Sequence, residues 1–502
     1  MITNILEYLE STVQAHPEKI AFSDGFDSIS FKDLHKLSKI GGSYLCNHGV
    51  ERAPVMIIMD KHPNEIVAFL SVIYAGGYYV PIDSEMPIRR IETIAQTLSC
   101  QLIICDSKNL KLAQTIGVKN IITFEELVAG DVREEALGDV RRNQIDTDPI
   151  YIVFTSGSTG IPKGVVACHR SVIDYTEALS EALKFDSNNV FGNQTPLYFD
   201  APLKEIMPTL KFGATTYFIP KKLFMFPIKL VEYLNEHKIN TICWVVSALT
   251  MISAFGVFDK MKPGYLTTVA FGSEVFPLKQ FNIWIQSLPQ AEFYNLYGPT
   301  EATGMSCYWH CDRQIEDGEA IPIGKPFKNT RILLINDKGH PAVCDEPGEI
   351  YICGTCVTLG YYQNKDKTSE AFVQNPLHSN YPDIVYKTGD LAKYNKSGEL
   401  VFISRKDFQI KHMGHRIELG EIESAADSFD GVARACCIYN NEKKKIHMFY
   451  MGSIGEKDLS TQLKDYLPRY MIPATLTKLD SLPLTANGKL NRQELNKIAS
   501  TL

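Results

Sequence analysis

The segment Tyr151-Ile-Val-Phe-Thr155-Ser156-Gly157-Ser158-Thr159-Gly160-Ile-Pro162-Lys163-Gly164-Val165 constrains this chain more than any other. An apolar run of strand character enters a loop of glycines and hydroxyls that closes on one lysine. Glycine lets backbone N–H groups turn inward, serine and threonine add donors, and Lys163 adds positive charge. That composition suits a loop wrapped around a polyphosphate. The spacing is not G-x-x-x-x-G-K-[ST], because Gly160 stands too close to Lys163 and Gly164 follows the lysine.

With 502 residues the chain exceeds one ordinary core, and about two to four units are expected. Hydrophobic residues make up 45% and charged residues 22%, which reads as globular rather than disordered. The net charge of −7 argues against a nucleic-acid binder. Residues 1–22 are acidic and helix-patterned, with no basic start and no long apolar run. Neither a signal peptide nor a membrane span is expected. Twelve cysteines scattered over the chain read as free thiols in a reducing cytoplasm. Cys353-x-x-Cys356 has a zinc-like spacing, but Cys353 alternates with Tyr351 in a strand-like run, so core packing is the better reading.

Short apolar runs alternate with helical patterns through the first 300 or so residues, as at Pro54–Met59, Gln101–Cys105 and Leu266–Ala270. That alternation predicts α/β layers with largely parallel sheets. Beyond about residue 320, runs such as Arg331–Asn336, Gly348–Cys353 and Glu399–Ile403 lie among Gly, Pro and Asp turns, as in a small antiparallel unit. The polar joint Ser404-Arg405-Lys406-Asp407 then leaves enough chain for one small α+β domain.

Downstream segments add chemistry to the loop. Asn295-Leu-Tyr297-Gly298-Pro299-Thr300-Glu301 gathers an aromatic ring, a tight turn, a hydroxyl and a carboxylate. A flat base can stack on Tyr297, and Glu301 can hold Mg²⁺ against phosphate oxygens. Asp390, in Tyr386-Lys-Thr388-Gly389-Asp390, is either a ribose acceptor or a plain turn residue. Lys489 sits on the Asn487-Gly488 turn near the end of the chain.

Together these segments resemble the core motifs of the adenylate-forming superfamily, which includes acyl-CoA synthetases, luciferases and nonribosomal peptide adenylation domains. The resemblance runs from Ile29–Leu34 and Tyr74–Asp83, through Tyr151–Val165, Phe199-Asp200, Asn295–Glu301, Gly360-Tyr361 and Thr388–Asp390, to Arg416–Glu423, Leu467–Pro473 and Asn487–Lys489. Ser404, Met413 and Leu359 depart from the family's usual residues at peripheral positions. The resemblance implies a large N-terminal domain, 1–406, of two α/β subdomains plus a small β-barrel-like unit. A small mobile α+β domain, 407–502, would follow and carry the catalytic lysine.

It also implies ATP and Mg²⁺, and a carboxylate attacking the α-phosphorus of ATP. Thr155, Ser156, Gly157, Ser158, Thr159 and Lys163 would hold the phosphates. Asn295 and Tyr297 would hold adenine, and Asp390 with Arg405 the ribose. Thr300 would contact the α-phosphate, Glu301 the Mg²⁺, and Lys489 the reacting oxygens. Asp407 would be the hinge for a second half-reaction, unless it is a simple surface acid.

In amino-acid-activating members an aspartate at the place of Asp200 meets the substrate ammonium, which points to an amino acid unless Asp200 caps a helix. The expected pocket is Asp200, Ala201, Lys204, Trp244, Val269, Phe271, Leu296, Gly304 and Met305. Trp244 and Phe271 would make it shallow and suited to a small side chain. Lys204 either meets a second substrate carboxylate or pairs with Asp200 one turn away. The expected partner is a phosphopantetheinyl carrier protein, as for stand-alone D-alanine–carrier protein ligases, although the chain can equally be a module of a larger synthetase. Two other readings share these motifs: an acyl-CoA ligase, and a nucleotide-binding regulator without turnover.

Overall fold

The computed structural model describes residues 2–157, 161–315, 319–483 and 490–501. The chain forms two compact units. One contains Met1–Ile82, Cys100–Val153 and Gly164–Lys406, and the other Asp83–Ser99, Phe154–Lys163 and Asp407–Leu502. The second unit thus draws on three stretches, whereas the sequence motifs suggested only 407–502.

The first unit is mixed α/β. One sheet is ordered Asn120–Thr123, Leu102–Cys105, Pro54–Ile58, Tyr78–Pro81, Pro149–Thr155, Lys163–Cys168, with parallel pairing among its inner strands. Helix Phe31–Cys46 starts at Ser30, whose hydroxyl accepts the Asp33 N–H at 3.1 Å, an N-cap that satisfies an otherwise orphaned donor. It lies tight against helix Pro63–Tyr74. A Cβ on Gly41 would stand 2.2 Å from the Ser71 hydroxyl, so only glycine permits this approach.

A nine-stranded sheet has a parallel centre made of Thr215–Phe218, Val190–Asn193, Thr241–Val245, Thr268–Gly272 and Glu292–Tyr297. Alternate side chains of these strands enter two separate cores. Cys243, Ala270, Tyr294 and Leu296 join the core shared with helix Leu203–Phe212. Trp244, Val269, Phe271 and Phe293 join the core shared with helix Leu278–Ser287. A five-stranded antiparallel sheet, half-barrel-like, is built from Thr330–Ile335, Gly348–Gly354, Ile384–Tyr394 and Phe372–Gln374, with Leu400–Arg405 paired to Ile384–Tyr394.

The second unit is α+β. Strands Val432–Asn440, Lys445–Gly452 and Thr475–Lys478 form a sheet beside the hairpin Gln409–His412/His415–Glu418. Helices Leu419–Asp427 and Glu456–Tyr466 close a core that includes Ile422, Met448 and Leu463. Among the described residues no helix is long and apolar enough to cross a membrane.

Candidate active site

Strand Glu292–Tyr297 ends in a turn that only glycine can make. A Cβ on Gly298 would lie 2.4 Å from the Met305 Cα. The turn presents Thr300 and Glu301. Glu301 is fully buried; its Oε1 accepts the Tyr361 hydroxyl at 2.8 Å, and its backbone carbonyl accepts the Thr358 N–H at 3.0 Å. Strand Ile384–Tyr394 places Asp390 opposite Arg405. The Asp390 carboxylate accepts a guanidinium N–H at 2.7 Å, and its other oxygen accepts the Tyr297 hydroxyl. Tyr297, Asp390 and Arg405 therefore form one buried cluster. Tyr297 meets it through its hydroxyl, and burial beside Asp390 holds that phenol well above its ordinary range. Asn295 is committed to the protein: its Nδ2 donates to the Pro322 carbonyl at 2.7 Å.

The glycine-rich loop belongs to the second unit. Gly157 is required there, since a Cβ would fall 2.0 Å from the Ile161 carbonyl oxygen. Two donors expected to meet phosphate have protein acceptors. Ser156 Oγ donates to the Arg416 carbonyl at 2.8 Å, and the Gly157 N–H donates to Glu421 at 3.2 Å. Glu421 is also ion-paired with Arg90, and both side chains are buried. A carboxylate and a phosphate ask for the same N–H, so nucleotide must replace Glu421 to use it. The buried Thr155 hydroxyl has no hydrogen-bond partner. Ser158, Thr159 and Lys489 lie outside the described residues. Asp407 is exposed, opens the second unit's last stretch, and accepts the Gln409 N–H at 3.2 Å.

Asp200 caps nothing. Helix Leu203–Phe212 has Pro202 at its N-cap and no side-chain cap bond. Burial pushes the Asp200 carboxyl up, opposed by the Lys204 charge and a hydrogen bond from Thr300. No direct Lys204–Asp200 ion pair is formed; the two interact only through space. The Cys243 thiol feels Glu205 and Lys204, and Tyr175 feels Cys243, Asp200 and Glu205. Gly304 lies against the Tyr175 ring, 3.3 Å from the position a Cβ would take.

The expected pocket requires a correction at three positions. Leu296 pairs with Gly272, and Tyr294 with Ala270, which in turn pairs with Cys243. Paired residues of neighbouring strands share a face. Cys243, Ala270 and Gly272 therefore share the face of Leu296. Trp244, Val269 and Phe271 face the other way, with the Trp244 Nε1 donating to the Gly192 carbonyl at 2.6 Å and Phe271 edge-on to Phe276 and Phe281. That face carries the small residues Cys243, Ala270 and Gly272 together with Tyr294 and Leu296. A Cβ on Gly272 would even strike the Leu296 carbonyl at 2.4 Å. Glu205 was not singled out at all. Phe271→Ala is accordingly expected to cost about 3–5 kcal/mol of stability, read by chemical denaturation, and to leave substrate preference unchanged.

The AMP-binding enzyme family matches residues 9–362. The chain is 29% identical over 498 residues to tyrocidine synthase 1 of Brevibacillus parabrevis, covering 98% of this chain and 45% of that protein. It spans less than half the length of the curated relatives it matches. Among solved structures, the Vibrio cholerae adenylation domain AlmE in complex with glycyl-adenosine-5'-phosphate superposes with a TM-score of 0.85 at 18% identity, covering 100% of this chain and 98% of that one. Holo-PA1221, a nonribosomal peptide synthetase protein containing adenylation and PCP domains, superposes with a TM-score of 0.84 at 24% identity, covering 99% and 84%. Both structural likenesses show the fold.

Proposed function

Since the chain belongs to the AMP-binding enzyme family, we propose that it activates an amino acid with ATP and passes it to the phosphopantetheine thiol of a carrier protein. The observation that carries the substrate class is Asp200. It is a half-buried carboxyl just ahead of helix Leu203–Phe212, where the Lys204 charge and Thr300 both favour its charged form.

In the first half-reaction a substrate carboxylate oxygen attacks the α-phosphorus, the bond to the β-phosphate oxygen breaks, and pyrophosphate leaves. Two anions must meet, so the protein's task is alignment and charge neutralisation. Asp390, set by Arg405 and Tyr297, orients the ribose. Thr300 turns its single hydroxyl proton from Asp200 to an α-phosphate oxygen, which leaves Asp200 to hold the substrate ammonium. Lys489 neutralises charge growing on the reacting oxygens. Glu301 fits a Mg²⁺ ion, because one buried carboxylate whose orientation Tyr361 fixes is the donor such an ion takes alongside phosphate oxygens. The ion would supply further charge neutralisation on the phosphates. In the second half-reaction a thiolate attacks the acyl carbon and AMP leaves.

Exchange of pyrophosphate into ATP, run across D-, L-, β- and dicarboxylic amino acids, tests the first step. No exchange with any amino acid overturns the reading. Loading of CoA instead of a carrier protein would make the chain an acyl-CoA ligase. Asp407→Pro is expected to keep exchange near its original rate and to block thioester formation, because proline fixes the φ that a hinge residue must change. Equal loss of both steps would remove the hinge role.

A further inference from the structure

Between Glu205 and Glu232 the chain carries no acidic residue, although its net charge is −7. Four lysines fall in that stretch. Three of them, Lys221, Lys222 and Lys229, flank the run Leu223-Phe-Met-Phe-Pro-Ile228. Basic and large apolar residues are thus concentrated in a short segment that has no negative charge of its own.

The run leaves strand Thr215–Phe218, forms the 3₁₀ turn Lys221–Met225 and enters helix Pro227–Glu236. Its base is fixed. Leu223 and Phe224 pack against the core shared with helix Leu278–Ser287, and the Phe224 ring stands edge-on to Trp244 at 5.3 Å. The Leu223 N–H donates to the Pro220 carbonyl and the Phe226 N–H to the Leu223 carbonyl, both at 2.9 Å. Pro227 opens the helix with a φ already suited to it.

Its tip faces water. Met225 is 70% exposed, Phe226 54% and Ile228 38%. Lys221, Lys222 and Lys229 are exposed beside them, and the Lys229 Nζ lies 5.8 Å from the centre of the Phe226 ring. Held on a fixed turn, these apolar side chains forgo burial that a collapsed loop would recover. The lysines can lay their methylenes along the apolar tip and keep their ammonium groups in a polar layer.

An apolar tip with ammonium groups beside it matches the layering of an anionic membrane surface, with acyl chains below and phosphate headgroups above. A fluid layer receives adjacent protruding side chains without a preformed pocket, which favours lipid over a protein partner. We propose that residues 221–229 form a peripheral contact site for anionic lipid surfaces. Met225, Phe226 and Ile228 enter the headgroup boundary, and the three lysines pair with phosphates. None of these residues belongs to the candidate active site, so the proposal stands apart from the amino-acid reading.

Sedimentation of the full chain with vesicles tests it. Vesicles of equal parts phosphatidylcholine and phosphatidylglycerol are expected to carry the protein down, less so as salt is raised. Vesicles of phosphatidylcholine alone should bind it about a hundredfold more weakly, since each lysine near an anionic surface contributes about fivefold. Lys221→Gln/Lys222→Gln should weaken binding to the anionic vesicles about twentyfold, and Met225→Ser/Phe226→Ser about tenfold or more. Both variants should keep the wild-type melting temperature and rate of pyrophosphate exchange. The contrast between the two vesicle types carries the test if a variant does not fold. No sedimentation with anionic vesicles, equal binding to both vesicle types, or binding unmoved by both variants overturns the proposal. Variants that slow loading of a carrier protein, in a chain that binds no vesicles, would make this a protein-docking face and overturn it as well.

Discussion

Lys489→Ala is expected to slow pyrophosphate exchange by roughly a thousandfold while changing ATP affinity far less. The reaction drives a carboxylate onto a phosphate, and repulsion peaks as the new bond forms. One ammonium about 4 Å from that charge, at an effective dielectric near 20, contributes about 4 kcal/mol. Felt only in the transition state, this corresponds to about three powers of ten in rate. Binding should be spared because the groups proposed to orient the nucleotide, Asp390 with Arg405 and Tyr297, are hydrogen-bonded to one another. Exchange rates set beside a nucleotide dissociation constant separate the two effects. Exchange close to the wild-type rate would exclude the role. Lys489→Arg keeps the charge but replaces a compact ammonium with a planar fork, and it should recover only part of the rate.

Asp200→Asn is expected to raise the amino acid KM by about a hundredfold, within the 2–5 kcal/mol typical of removing one partner of a buried charge pair. The KM for ATP should move little. The substitution keeps size and hydrogen bonding and removes only charge, so Thr300 can still donate to the remaining carbonyl oxygen. A des-amino analogue of the best substrate should lose its disadvantage in the variant. An amino acid KM that moves less than about threefold would mean that the carboxylate does not read the ammonium, the outcome expected if the pocket serves another acid.

The chain's short contiguous features were legible in advance. The strand leading into Thr155 and the turn at Gly298 were read from runs of a few residues, and the structure places a strand and a turn there; Asp390, expected just after a strand, lies within strand Ile384–Tyr394. The strand near 268 was displaced by two residues: the run Leu266–Ala270 became Thr268–Gly272, a shift that leaves the alternation of its side chains unchanged. Alignment onward from the family motifs places Trp244 and Phe271 in the pocket, and their bulk suggests a shallow one. They instead fill the core behind the sheet. Glu205 gave no signal, because a glutamate following a lysine on a helix reads as ordinary surface charge until burial is known.

Two kinds of information are therefore separable in this protein. Membership of its family is written in local stretches, because turns and hydroxyl or carboxylate contacts each demand particular residues within a few positions. The shape and charge of the substrate pocket arise from long-range pairing. Which of Cys243 or Trp244 faces Asp200 depends on how strands Thr241–Val245, Thr268–Gly272 and Glu292–Tyr297 register, and a one-residue slip exchanges every inward side chain for an outward one. The surroundings of the buried Glu205 likewise depend on Asn193, brought from a different strand to within 3.4 Å of its carboxyl.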